Sequence, residues 1–293
     1  MIGHETLITH LKTLGERDAL GHGYLFYGPA MVGKHTTAVA LARFLETGIF
    51  TPEFGVLENG REAVLQDAKV IDAAFMRSLN PDAGEDSIGI DAVRETKNFL
   101  WQRPAASPRR TLIVDEADLL TTEAQNALLK IAEEPPAAAL LILVVSDIER
   151  ILPTIASRLP AIYFGTVPQK AIAAWLTAEH GVPAAEAATF AARAFGKPGM
   201  AWRLARNESF RNDLARAEEF LATAPAERRD FIKKLIAPDD FSLRRFLDAV
   251  ILALAWKQPS KETSRFWHKT LQLYGNTTNF SPNPRLQLEA LMK

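Results

Sequence analysis

Short apolar runs alternate with stretches whose apolar residues recur every three or four positions over residues 1–165. The runs Tyr24–Tyr27, Ala68–Ile71, Thr111–Val114, Leu140–Val145 and Ala161–Phe164 lack the polar alternation of half-exposed strands, so they predict strands buried on both faces. Between them, Thr36–Leu45, Ile90–Gln102 and Thr121–Glu134 carry the helical period. The last of these opens on threonine with Glu123 in its first turn and stops at Pro135-Pro136, where the ring disfavours further helix. Strands and helices in this alternation predict a parallel sheet covered on both sides. After Phe164 the strand pattern ends. Pro168–His180, Ala184–Phe195 and Met200–Arg206 predict a small helical set, and Asn212 to Lys293 continues as helices with breaks at Pro225, Pro238, Pro259 and Pro282. The expected fold class is therefore α/β followed by all-α, divided at 1–165, 166–208 and 209–293.

The clearest chemistry lies between the first strand and the first long helix. Gly28-Pro-Ala-Met-Val-Gly33-Lys34 has the spacing of a phosphate-binding loop, whose N–H groups surround phosphate while the lysine reaches its outer oxygens. The next position ordinarily supplies a hydroxyl to Mg²⁺, and here it is His35. Imidazole is a poor ligand for so hard a cation, and Thr36 points about 100° further round the helix. Nucleotide binding is expected to outlast hydrolysis at such a loop. The strand Thr111–Val114 ends in Asp115-Glu116-Ala-Asp118, where the first carboxylate is the candidate Mg²⁺ ligand and Glu116 the candidate for orienting an attacking water.

Composition narrows the remaining classes. A net charge of −1 gives no global basic footprint for nucleic acid, so any DNA contact is local or shared. With no cysteine, disulfides and thiolate metal sites are excluded, and the six histidines (His4, His10, His22, His35, His180, His268) lack ligand spacing, so no zinc is expected. No apolar run reaches membrane-span length and Met1-Ile-Gly-His-Glu lacks signal-peptide features; a cytoplasmic protein without membrane contact is expected. The tryptophans Trp101, Trp175, Trp202, Trp256 and Trp267 lie in apolar helical settings and are expected to pack in cores rather than stack on DNA bases.

Further motifs carry a family resemblance. Gln125-Asn-Ala-Leu-Leu-Lys130 followed by Glu133-Glu134-Pro-Pro136, the strand-end Ser146, the pair Ser157-Arg158 and the segment Ser87-Ile-Gly-Ile-Asp91-Ala-Val-Arg94 stand in the order and spacing of AAA+ clamp-loader subunits. The chain resembles that family, and within it the δ′ branch associated with bacterial DNA polymerase III. Asn283–Met292 looks like the family's final collar helix. The resemblance implies an AAA+ domain at 1–165, a helical lid at 166–208 and a helical collar at 209–293. It implies nucleotide contacts at Gly28, Gly33, Lys34, His35, Thr36, Asp115 and Ser146, with ATP or ADP and Mg²⁺ as the cofactor. Arg158 would act in trans as an arginine finger on a neighbour's γ-phosphate, although Leu159 stands where the family motif has cysteine. The implied partners are the γ/τ and δ subunits, the sliding clamp, and primer-template DNA through the assembled ring.

Departures from the family pattern point to a stator. His35 replaces the metal hydroxyl, and Gly199 stands at the lid position where motor subunits carry a sensing arginine. The chain's own ATPase is expected to be weak or absent. Asp115-Glu116 is intact, however, which keeps a γ/τ-like motor open as a second reading. An adaptor in another AAA+ DNA-processing complex and a small-molecule phosphotransferase stand beside it as rival functions. The usual four-cysteine module has no counterpart, and Gly48–Gly60 reads as a shortened loop or hairpin.

Overall fold

A computed structural model describes residues 2–51, 65–72, 75–76, 87–224, 227–238, 241–279 and 283–291. Most of the stretch read as a shortened loop, residues 52–60, lies outside these. The residues group into two units, Met1–Met200 and Ala201–Lys293.

In the first unit, β1 (Gly23–Tyr27), β2 (Ala68–Ile71), β3 (Arg110–Val114), β4 (Ala139–Val145) and β5 (Ala161–Tyr163) form one sheet in the order β2-β3-β4-β1-β5. All its pairings are parallel, with Leu25 opposite Leu143 and Ala161, and Ile113 opposite Ile142. Every residue of β4 is buried, because this strand has neighbours on both edges and helices on both faces. Period-two side-chain alternation divides the core between the two faces. Leu25, Leu112, Val114, Leu141, Leu143 and Val145 pack with α3 (Ile90–Leu100) and α4 (Thr122–Glu133). Tyr24, Phe26, Ile113, Leu140, Ile142 and Val144 pack with α1 (Glu5–Glu16) and α2 (Lys34–Thr47). The first unit also contains the short helix α5 (Pro153–Ala156) and the helices α6 (Gln169–His180) and α7 (Ala184–Arg193).

The strand and helix bounds hold to within one or two residues at most ends, but burial on both faces does not hold for the edge strands: Ala161 and Tyr163 of β5 are exposed, and β2 is half-buried except at Ile71, since each has a sheet neighbour on one side only. Helix α4 starts where Thr121 Oγ1 accepts from the Ala124 N–H at 3.2 Å. The tryptophan expectation needs correction. Trp101 is 60% exposed, since it caps α3 beyond the point where Leu100 fills the core. Trp175, Trp202, Trp256 and Trp267 are only half-buried.

Helix α8 (Pro198–Arg206) spans the boundary between units. The second unit continues with α9 (Glu208–Ala222), α10 (Arg228–Leu235), α11 (Leu243–Ala255), α12 (Lys261–Asn279) and α13 (Pro284–Leu291). Its core is aromatic: the buried Phe220 ring lies 5.5 Å from that of Phe246, edge to face, and within 6.3 Å of Phe231 and Phe266. Asp213, almost buried, meets Arg245 at 2.7 Å. Among the described residues, no helix is long and apolar enough to cross a membrane.

Candidate nucleotide site

The strand order reverses at β1, whose sheet neighbours are β4 and β5 rather than β2. In parallel sheets, a ligand crevice opens beyond the strand carboxyl ends at such a reversal. Residues 28–33 emerge there from β1, and α2 starts at Lys34 with Gly33 as its cap. No side chain occupies the cap hydrogen bond and the first turn has no acidic residue, which leaves the helix amino end available to an anion.

The loop holds an unusual backbone. Gly28 has φ 135°, Met31 63° and Gly33 106°. A Cβ on Gly28 would stand 2.2 Å from the Phe164 carbonyl oxygen, so glycine is required there on steric as well as conformational grounds. Met31 has neither exemption, and its left-handed conformation stores strain in the loop. His4 Nε2 lies 3.1 Å from the Val32 carbonyl oxygen, and its ring packs edge to face on Phe164 at 4.9 Å. A residue from before α1 thus braces the loop, a contact that the local sequence pattern does not signal. Burial holds the His4 imidazole below its ordinary pKa.

Lys34 is only 5% exposed and donates to the carbonyls of Gly28 at 2.7 Å and Pro29 at 2.6 Å. Burial lowers its pKa, Asp115 and Asp118 act in the opposite sense, and Lys197 adds like charge. Lys197 is therefore a second cation near the loop. It was not among the expected site residues because it lies far along the chain from the loop. The Gly199 N–H donates to the Met31 carbonyl at 3.0 Å, and a Cβ on Gly199 would meet Met31 Cβ and oxygen at 3.1 Å. Backbone thus fits closely against the loop at Gly199.

His35 reaches across to the end of β3, where its Nδ1 lies 2.7 Å from Asp115 Oδ2. Its pKa is raised, chiefly by that hydrogen bond, against the opposing effect of burial; Asp115, Asp72 and Glu116 add favourable charge. The other oxygen of Asp115 accepts from the Glu116 N–H at 3.0 Å. Glu116 has φ 48°, another strained non-glycine residue, and partial desolvation followed by the charges of Asp115, Asp118 and Asp72 pushes its carboxyl above the ordinary range. Asp118 accepts from the Ser146 N–H at 3.2 Å, tying the ends of β3 and β4 together.

These groups line one cleft of about 270 Å³, walled by Gly33, Lys34, His35, Thr36, Asp115, Glu116 and Ser146, with Ala30, Met31 and Val144 completing it. All the expected nucleotide contacts therefore converge, with Gly28 supplying a carbonyl to Lys34. Thr36 belongs to the lining despite its offset around the helix. The donors do not fit Mg²⁺, which favours six oxygens in a near-octahedral shell. An imidazole stands in the hydroxyl's place, and both Asp115 oxygens are already engaged. Among the described residues, no group of three or more His, Cys, Asp or Glu side chains is placed to hold a metal.

Arg158 is outside this cleft. It follows α5, donates to the Thr154 carbonyl at 2.7 Å and pairs with Glu133 of α4 at 2.7 Å, with 38% of its side chain exposed.

Residues 3–168 match the protein family described as DNA polymerase III, delta subunit. The chain is 34% identical over 178 residues to the DNA polymerase III subunit gamma/tau of Mycobacterium tuberculosis, covering 60% of this chain and 30% of that protein. It is 36% identical over 151 residues to the DNA polymerase III subunit delta′ of Escherichia coli, covering 51% of this chain and 43% of that protein. It thus spans less than half the length of these relatives. Among solved structures, a gamma subunit-related protein of Thermotoga maritima superposes with a TM-score of 0.64 at 19% identity, covering 97% of both chains. A variant of Thermotoga maritima RuvB superposes at 0.51 with 15% identity, over 98% of this chain and 88% of the other. These likenesses show the fold that the chain shares with them: a five-stranded parallel sheet with helices, then a helical region.

Proposed function

The chain belongs to the DNA polymerase III, delta subunit family, and from that premise we propose that it is a δ′-like clamp-loader subunit acting in the cytoplasm, chiefly as a stator. It would join γ/τ and δ subunits in a ring that opens the sliding clamp and places it on primer-template DNA. In that ring, residues 1–165 would form the AAA+ domain, 166–208 the lid and 209–293 the collar through which subunits assemble. The chain's role in catalysis would be to present Arg158 to ATP held by a neighbour. A guanidinium there would stabilise the charge that develops on the transferring phosphoryl group.

The observation that carries the stator assignment is the His35–Asp115 contact at 2.7 Å. A motor subunit uses a hydroxyl and a carboxylate at these two places to hold the metal that neutralises the phosphates. Here the two side chains bind each other. Lys34, Thr36, Ser146 and the loop N–H groups still support a nucleotide pocket, while Glu116 has no metal-organised water to act on.

Co-purification tests the assignment to the complex: the tagged full chain, expressed in its own cells, is expected to bring down the other clamp-loader subunits. Recovery of a different AAA+ assembly instead would reject it. A motor role is favoured by one observation, the intact Asp115-Glu116 pair at the end of β3. It requires Mg²⁺-dependent ATP turnover by the purified chain that Glu116→Gln abolishes.

A further inference from the structure

The disagreement between this pocket and Mg²⁺ has a chemical resolution in the side chain that causes it. His35 sits on the first turn of α2, and its Nδ1 contacts the carboxylate that would otherwise face the ion. The second Asp115 oxygen accepts from the Glu116 N–H, so each carboxylate oxygen already holds one hydrogen-bond partner. A divalent ion placed between position 35 and Asp115 would displace the imidazole from its 2.7 Å contact and would gain no oxygen donor from position 35. The hydrogen bond between the imidazole and Asp115 stands where the ion would, and it offsets part of the carboxylate charge that a phosphate chain would meet at the end of β3. The positive side of the cleft remains in place, with buried Lys34, the uncapped amino end of α2 and the nearby Lys197.

We propose that this pocket takes a nucleoside triphosphate as the free anion, without a divalent cation, with His35 occupying the metal's place against Asp115. The proposal rests on reading the cleft as a nucleotide site within a clamp-loader subunit. Its failure is nevertheless separable, since co-purification with partner subunits reports on that assignment whatever the metal dependence.

The test is calorimetric titration of the full chain with the slowly hydrolysed analogue ATPγS, in excess Mg²⁺ and in EDTA. The unmodified protein is expected to bind with dissociation constants within threefold of each other. His35→Thr restores a hydroxyl and releases Asp115, so its affinity is expected to rise at least tenfold on adding Mg²⁺. His35→Ser is the second variant, smaller and without the β-branch, should the threonine disturb α2; circular dichroism verifies the fold of each. Tenfold or greater Mg²⁺ dependence in the unmodified protein would overturn the proposal. So would absence of ATPγS binding to the unmodified protein at millimolar concentration in both buffers. If both folded variants stay as indifferent to Mg²⁺ as the parent, His35 is not what closes the metal position, and the proposal fails equally.

Discussion

Replacing Gly28 by alanine tests the geometry of the phosphate loop more sharply than any change at its surface. The glycine has φ 135°, a conformation rarely open to a side-chain-bearing residue, and holding alanine there costs about 1–3 kcal/mol. The added Cβ would also stand 2.2 Å from the Phe164 carbonyl oxygen. That oxygen belongs to backbone that cannot simply swing aside, because the Phe164 N–H donates to Tyr27 at 2.8 Å and the Phe164 ring is fully buried. Relief requires parting the end of β1 from the chain after β5, an overpacking cost of about another 1–3 kcal/mol. The total of about 4 kcal/mol is a substantial part of the 5–15 kcal/mol that stabilises an ordinary domain. Gly33→Ala is the control: its φ is 106°, but its Cβ would meet nothing within 4 Å, so only the conformational cost applies. Hydrogen exchange of β1 and β4 amides reads the first unit separately from the helical second one. At about 1.4 kcal/mol per decade, Gly28→Ala is expected to speed exchange of the most protected amides about 5- to 100-fold more than Gly33→Ala. Equal effects of the two substitutions would refute the steric account of the loop.

Two further outcomes follow from buried or paired ionisable groups. Asp67, 1% exposed, accepts from the N–H groups of Ala105, Ala106 and Ser107 and pairs with Arg110 at 3.1 Å; Asp67→Ala is expected to cost about 3–5 kcal/mol in urea unfolding at neutral pH. Burial alone would raise that carboxyl, but its donors and Arg110 outweigh burial and hold it below its ordinary 3.8; its stabilisation is present above that value and fades as pH falls through the folded value, so an Asp67→Asn penalty that did not shrink in acid would contradict this account. The His35 imidazole, followed by NMR, is expected to titrate above its ordinary 6.5, with Asp115→Asn bringing it down. The pair's contribution to stability is then full below 6.5 and lost as pH rises through the raised value; a midpoint at or below 6.5 would dissolve the pair.

The central strands were legible because strands buried on both faces must be apolar throughout, as all seven residues of β4 are. The loop and the acidic strand end were legible as local spacing. Their joint geometry was not, since β4 lies between β1 and β3 and only that order brings His35 to Asp115. Two steps across a sheet cover roughly 9–10 Å, a separation set by tertiary pairing and absent from either segment's own pattern. His4 and Lys197 escaped notice for the same reason: His4 contacts the loop, and the charge of Lys197 acts on Lys34, each from a distant part of the chain. Trp101 was misjudged because a helical period does not reveal which residue ends the last buried turn, and Leu100 takes that place.

The stator claim is tested most directly by the ATPase of the reconstituted clamp loader carrying Arg158→Ala, measured with sliding clamp and primed DNA. The substitution removes a partly exposed pair with Glu133, worth about 0–1 kcal/mol, so folding and assembly are expected to survive. At the neighbour's site, loss of an arginine finger is worth about 10³-fold or more, diluted in the whole complex by any sites with other donors. The expected result is an intact complex with reduced ATPase and slowed clamp loading; unchanged rates of both would contradict the account.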